Sequence, residues 1–215
     1  MALLSRARTL ALAGLVAPLW FTTLIVVQGL LLPEYSHVKM PISALAAFPI
    51  GWLQNLNFFV TGVLMILFIM GLNGRVRPTP RGRAGFALLL IGATALMING
   101  VFPWKMIDGV PTEPPAHAAS AITTFASTGV GMIVFSRRMI ADARWRGRAT
   151  YTLWSGILVL VLFVIVGFFA VDDGAPLHEW TGLIQRILAA VWLAWIIKLA
   201  RVLWFESFAI PDIHN

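Results

Sequence analysis

The chain has no cysteine and only 12% charged residues in 215 positions. Without cysteine there is no disulfide framework and no thiolate metal site. So little charge, beside 59% apolar residues and a mean hydropathy of +0.85, excludes a water-soluble domain. Also missing are the H-x-x-x-H and H-E-x-x-H pairings of zinc-binding helices and the G-x-S-x-G turn of serine hydrolases. The sequence carries no low-complexity segment and no convincing internal repeat.

What fills the chain instead is six long apolar stretches: Thr9–Leu32, Leu53–Leu72, Ala84–Val101, Ala116–Phe135, Tyr151–Val171 and Trp180–Phe205. A bilayer core about 30 Å thick needs about 20 apolar residues per helix. A membrane β-barrel would instead alternate in polarity over strands of about 10 residues. The reading is all-α: a single domain over residues 1–215, a polytopic bundle of six transmembrane helices. Arg6 and Arg8 precede the first run, but that run is too long for a signal-peptide core and reads as a retained helix. Pro18 withdraws an amide from its middle, where a kink is expected.

Charge sets the orientation. Arg6, Arg8, Arg75, Arg77, Arg81, Arg83, Arg137, Arg138, Arg144, Arg146, Arg148, Lys198 and Arg201 all fall on one side, against Asp142, Glu206 and Asp212. The other side holds Lys39, Lys105 and Arg186 against Glu34, Asp108, Glu113, Asp172, Asp173 and Glu179. Lys and Arg concentrate in short cytoplasmic loops, so both termini are expected in the cytoplasm and the chain in the inner (cytoplasmic) membrane, multi-pass. The formal charge of +7 is thus a topology signal that meets anionic lipid, not a nucleic-acid surface.

Polar residues gather toward the outer side. His37, His117 and His178 come from three different outer loops, each with acids nearby; His214 lies in the cytoplasmic tail. His117, Ser120, Thr124 and Ser127 share one face of the fourth helix, extended by Gly131. Close helix packing explains such a stripe; a functional role would need His117 at its head. Gln28, Gln54, Asn55, Asn57, Asn99 and Gln185 also sit in outer helix halves. Gln54 and Asn55 are read as interfacial, Asn57 and Asn99 as facing the bundle.

Arg186 is the sharpest single residue. An arginine about 9 Å inside its helix is costly in lipid and turns toward protein, water or a fixed partner. Its expected partners are the acids Glu34, Asp108 and Asp173, or a lipid headgroup. The first outer loop carries Pro33, Pro41 and Pro49 with apolar Ile42, Ala44, Leu45 and Phe48, and is expected to fold back over the bundle.

Taken in order, Pro33, Tyr35, Ser36 and Ile42-Ser43, then Phe102-Pro103, His117 and Gly182-Leu183-x-Gln185-Arg186 resemble the family called domain of unknown function 998. The resemblance spans nearly the whole chain. It implies a six-helix prokaryotic membrane protein whose outer polar cluster belongs to the common pattern of the fold. Where that pattern carries an acid soon after Phe-Pro, this chain has Trp104 and Lys105, with Asp108 later.

The favoured reading is a non-catalytic membrane protein, lipid-binding or an accessory subunit, with a polar cavity on the extracytoplasmic side. Its candidate ligand or headgroup residues are Arg186, Gln185, His117, His37, His178, Tyr35, Ser36, Ser43, Asn57 and Asn99. No cofactor is expected. The partners are membrane lipids, with a larger membrane complex or a homo-oligomer left open. One alternative is an outer-leaflet hydrolase using His37, His117 and His178 with an acid, around a divalent metal or without one. The other is a small carrier, although the paired broken helices of carriers are missing. Reporter fusions at Gly74 and Pro111 test the orientation: opposite compartments are expected, with Gly74 cytoplasmic.

Overall fold

A computed structural model describes residues 2–172 and 174–206. Six helices carry the fold: α1 (Ala2–Leu31), α2 (Trp52–Arg75), α3 (Pro80–Val101), α4 (Pro115–Ile140), α5 (Arg146–Phe169) and α6 (Thr181–Glu206). All six are long and apolar enough to cross a membrane, and the protein is a multi-pass α-helical membrane protein. Each helix packs on its neighbour in sequence, and α6 closes the ring against α1. The connections following α1, α3 and α5 form one end, here called the mouth. The start of α1, the end of α6 and the arginine-rich links before α3 and α5 form the other, the basic face.

Small residues let the helices approach. At Gly85 and Gly92 of α3 an added Cβ would press on the α4 backbone at Phe135 and Thr124. On α4 the buried stripe runs His117, Ser120, Thr124, Thr128 and Gly131, with Thr128 in the place expected of Ser127. Steps of four residues drift around a helix of 3.6 residues per turn less than a step of three at that point would. The stripe is chiefly the α3–α4 packing seam, as small-residue interfaces in membranes are. At the centre, the Phe68 and Trp195 rings meet edge to face with centroids 6.0 Å apart. The Trp195 indole donates to Thr152 Oγ1 at 3.2 Å, so its one polar atom is matched inside the core.

Arg138, read from sequence as a loop charge, is 2% exposed. Its side chain crosses to the C-terminus of α2, where the last carbonyls of a helix lack partners. Nη1 donates to Asn73 Oδ1 at 2.6 Å, Nη2 to the Asn73 carbonyl at 2.9 Å and to the Val76 carbonyl, and Nε to the Arg77 carbonyl at 2.8 Å. Gly82 makes room, since a Cβ there would overlap the Arg138 side chain. Asp142 accepts from the Arg77 amide at 2.9 Å and from the Arg144 amide at 3.1 Å. Burial alone would push the Asp142 carboxyl up, but these donors and the Arg144 charge hold it below its ordinary range.

Arg138→Met keeps the apolar stem but strands several carbonyls. It should lower stability in detergent by about 2–3 kcal/mol, read as a drop in the thermal unfolding midpoint, with Arg138→Lys recovering only part.

Candidate functional site

The mouth is built on the first turns of α6. At Gly182 an added Cβ would overlap the Met40 carbonyl oxygen and stand 2.8 Å from that of His37. Only a glycine lets the loop after α1 lie this close. The Leu183 amide donates to the Val38 carbonyl at 2.9 Å, and Gln185 Oε1 accepts the Ile42 amide at 2.5 Å. From Ile42 the loop turns into a short 3-10 helix, Ile42–Ala47, whose Ile42, Ser43, Ala44 and Leu45 are buried. The loop therefore folds back into the bundle.

Arg186 completes this attachment. Nη1 donates to the Gly182 carbonyl at 2.8 Å and to the Met40 carbonyl at 3.2 Å. Nη2 donates to the Tyr35 hydroxyl at 2.6 Å and contacts His37 Nδ1 at 3.0 Å. The Tyr35 hydroxyl in turn donates to the Pro41 carbonyl at 3.0 Å. Because a guanidinium only donates, His37 Nδ1 must accept, which puts the proton of the neutral ring on Nε2. Burial lowers the His37 pKa, and the Arg186 charge lowers it further. Burial raises the Tyr35 pKa against the opposing pull of Arg186.

Among the described residues Arg186 meets no carboxylate, and two of its three expected acid partners, Glu34 and Asp108, lie elsewhere. Glu34 lies in the exposed turn that sends Tyr35 inward. Asp108 stands at the tip of a hairpin, β1 (Lys105–Ile107) with β2 (Val110–Thr112). Its Asp108-Gly109 turn has φ of 50° and 78°, the left-handed pair of a tight hairpin. Asp173 lies outside the described residues.

A second network lines the neighbouring helices. Ser120 Oγ donates to Asn99 Oδ1, and Asn99 Nδ2 to Thr124 Oγ1 at 3.4 Å. His117 Nδ1 lies 2.8 Å from the Phe102 carbonyl, and its Nε2 is 3.9 Å from Glu113. Burial raises the pKa of Glu113. A third network joins α1 to α2: Gln54 Oε1 accepts from Gln28 at 3.1 Å and from Asn57 at 3.3 Å. Gln54 is fully buried, not interfacial as its place in the first turn of α2 suggested. In lipid a buried amide needs such partners.

Two cavities relate these groups. Ser43, Asn99, His117 and Gln185 surround an enclosed space of about 40 Å³. Phe21, Ile42 and Ala189 separate it from a larger cleft of about 420 Å³ between α1 and α6. That cleft is apolar along Ile25, Val26 and Leu193, with Arg186 and His37 at its head. The His37 ring rests against Gly29 of α1, so loop one bridges both helices there.

Ser36 and His178 stand apart from these groups. Ser36 Oγ only accepts the Lys39 amide at 3.2 Å, and His178 opens the 3-10 turn His178–Trp180 before α6. No three His, Cys, Asp or Glu side chains among the described residues gather as a metal-holding group. The three histidines thus form no common ligand set: His37 faces α1 and α6, while His117 is locked on α4 by the Phe102 carbonyl.

These features define a six-helix integral membrane protein with a basic face at one end and, at the other, a polar mouth leading to a lateral cleft. Residues 15–202 match the family described as Protein of unknown function (DUF998), and the chain belongs to that family. No curated protein and no solved structure matches the chain.

Loss of the Arg186–His37 contact should register in pH. The folded-state pKa of His37 lies below its ordinary 6.5, so the unfolded chain binds the proton more readily. Its contribution to stability is present above that value and is lost as pH falls through the folded value. The wild-type midpoint should therefore fall between about pH 7 and pH 5 more steeply than that of His37→Gln. Parallel curves would rule the contribution out.

Proposed function

We propose that the protein is a non-catalytic lipid-binding module of the membrane, with its mouth on the extracytoplasmic side. The observation that carries this reading is a half-buried guanidinium that meets no carboxylate among the described residues, at the head of an apolar cleft between α1 and α6. Hydroxyl, imidazole and carbonyl groups engage both terminal nitrogens of Arg186, and being neutral they leave its net charge in place. A phosphate at the cleft head would supply the anion, drawn by the net charge that the neutral acceptors leave intact. An acyl chain would lie along Ile25, Val26 and Leu193. The cleft volume falls in the range of small-ligand sites, about 300–1,000 Å³.

A hydrolytic reading draws on one observation, a neutral His37 beside Arg186 and Tyr35. To take a proton from water, His37 Nδ1 would first have to leave Arg186, because Nε2 already carries the proton of the neutral ring.

Lipid co-purifying with the protein distinguishes these readings. Wild-type protein should retain phospholipid after exhaustive detergent exchange, and Arg186→Gln should retain about tenfold less, the loss of one charge-assisted contact. Arg186→Lys should fall between them, since it keeps charge without the fork. Equal retention by wild type and Arg186→Gln would reject the site. Release of headgroup from added phospholipid by wild type but not His37→Gln would favour hydrolysis.

A further inference from the structure

The basic face carries a second concave surface, unrelated to Arg186. Between the first turns of α5 and the last turns of α6 lies a groove of about 690 Å³. Arg148 enters it from α5, and Lys198 and Arg201 from α6. The last two are three residues apart, about one helical turn, so they stand one above the other. Among the residues whose side chains are described, which do not include Glu206, no carboxylate lines the groove and none of the three cations forms an ion pair there.

The floor differs from the rim. Lys198 Nζ lies 3.8 Å from the centroid of the Tyr151 ring, which steers the ammonium across the seam toward α5. Deeper along the groove Ala194 and Ile197 are exposed, and Phe205 borders its other end. Isolated Lys and Arg at helix ends simply extend to headgroups. Here three cations from two helices line one groove, Lys198 over the Tyr151 ring and Arg148 with Nη1 on the Arg144 carbonyl at 2.8 Å, beside an apolar seam. Three like charges on one groove favour a shared anion, and the apolar seam favours a hydrocarbon chain attached to it.

We infer that the α5–α6 groove is a binding site for an anionic phospholipid, its phosphate among Arg148, Lys198 and Arg201 and one acyl chain along Ala194 and Ile197. Basic pockets between transmembrane helices select anionic headgroups in this way. The site lies at the opposite membrane face from the α1–α6 cleft and does not depend on the function proposed for it.

The test is native mass spectrometry of the full chain in detergent with phosphatidylglycerol or phosphatidylcholine of identical acyl chains. Wild type should retain phosphatidylglycerol about tenfold over phosphatidylcholine, since each basic side chain near a phosphate contributes a several-fold preference. Lys198→Gln with Arg201→Gln should bring that ratio close to one. Lys198→Arg with Arg201→Lys should keep it, showing that charge at these positions is what counts. Arg83→Gln with Arg137→Gln removes the same charge from exposed positions of the same face and should leave the ratio unchanged. None of these substitutions touches Arg186, so any lipid at the mouth contributes equally throughout. Unfolding midpoints measured alongside identify a variant that has failed to fold; Tyr151→Phe with Arg148→Gln then replaces it as the groove variant. No preference in wild type, or an equal loss in the Arg83 and Arg137 pair, would overturn the inference.

Discussion

The mouth depends on one side chain. Four donors of Arg186 reach Tyr35, His37 and Met40, all within one loop, and Gly182 on its own helix. They fix the path of that loop while Gln185 takes its Ile42 amide and Gly182 leaves room for its carbonyls. Once the loop is held there, the Ile42–Ala47 helix can bury its apolar face among α1, α2 and α6, and the hairpin between α3 and α4 lies against it. In hydrocarbon a bare loop carbonyl has no water to turn to. A cation is therefore a suitable fastener: it satisfies several acceptors at once, and each charge-assisted bond is stronger than a neutral one.

The same device recurs at the basic face with a different outcome. Arg138 also fastens a link to a helix end, through carbonyls at Asn73, Val76 and Arg77. It is almost completely buried and lies beside an acid, Asp142, that shares the Arg77 link. Arg186 is only half-buried, borders a cleft and, among the described residues, meets no acid. One arginine has its charge balanced inside the protein; the other presents it to whatever enters between α1 and α6. That contrast, more than the presence of either arginine, separates a structural clamp from a candidate binding group.

The helices were legible because length and hydropathy decide them directly, and the family resemblance followed from the order of short motifs from Pro33 to Arg186. Other features depended on direction, which a linear sequence does not record. Glu34 and Tyr35 are adjacent, yet the turn sends one to the surface and the other against Arg186. Gln54 lies in the first turn of its helix, where exposure and burial differ only by which face meets α1. Arg138 was hidden among loop arginines, although Gly82 and the α2 terminus determine its place. The hairpin did carry a readable signal: Asp108-Gly109 between Met106-Ile107 and Val110 is a strong local pattern for a tight turn. It is easily passed over where every neighbouring segment is read for helices.

Serving as a clamp and receiving a ligand are compatible for Arg186 because they draw on different properties. The clamp uses the direction of its N–H bonds; attraction of an anion uses its net charge, which neutral acceptors leave intact. At about 6 Å and an effective dielectric of about 20, that charge is worth about 3 kcal/mol to a phosphate. Such an anion need not displace Tyr35 or His37 to be held. The clamp also fixes the guanidinium in advance, so little side-chain entropy is lost on binding. Neutral His37 is essential to this arrangement, because an imidazolium could not accept from Arg186 and would place two cations 3.0 Å apart. The cleft head is therefore held open by the contacts that build the loop, with a positive charge fixed where a phosphate would enter.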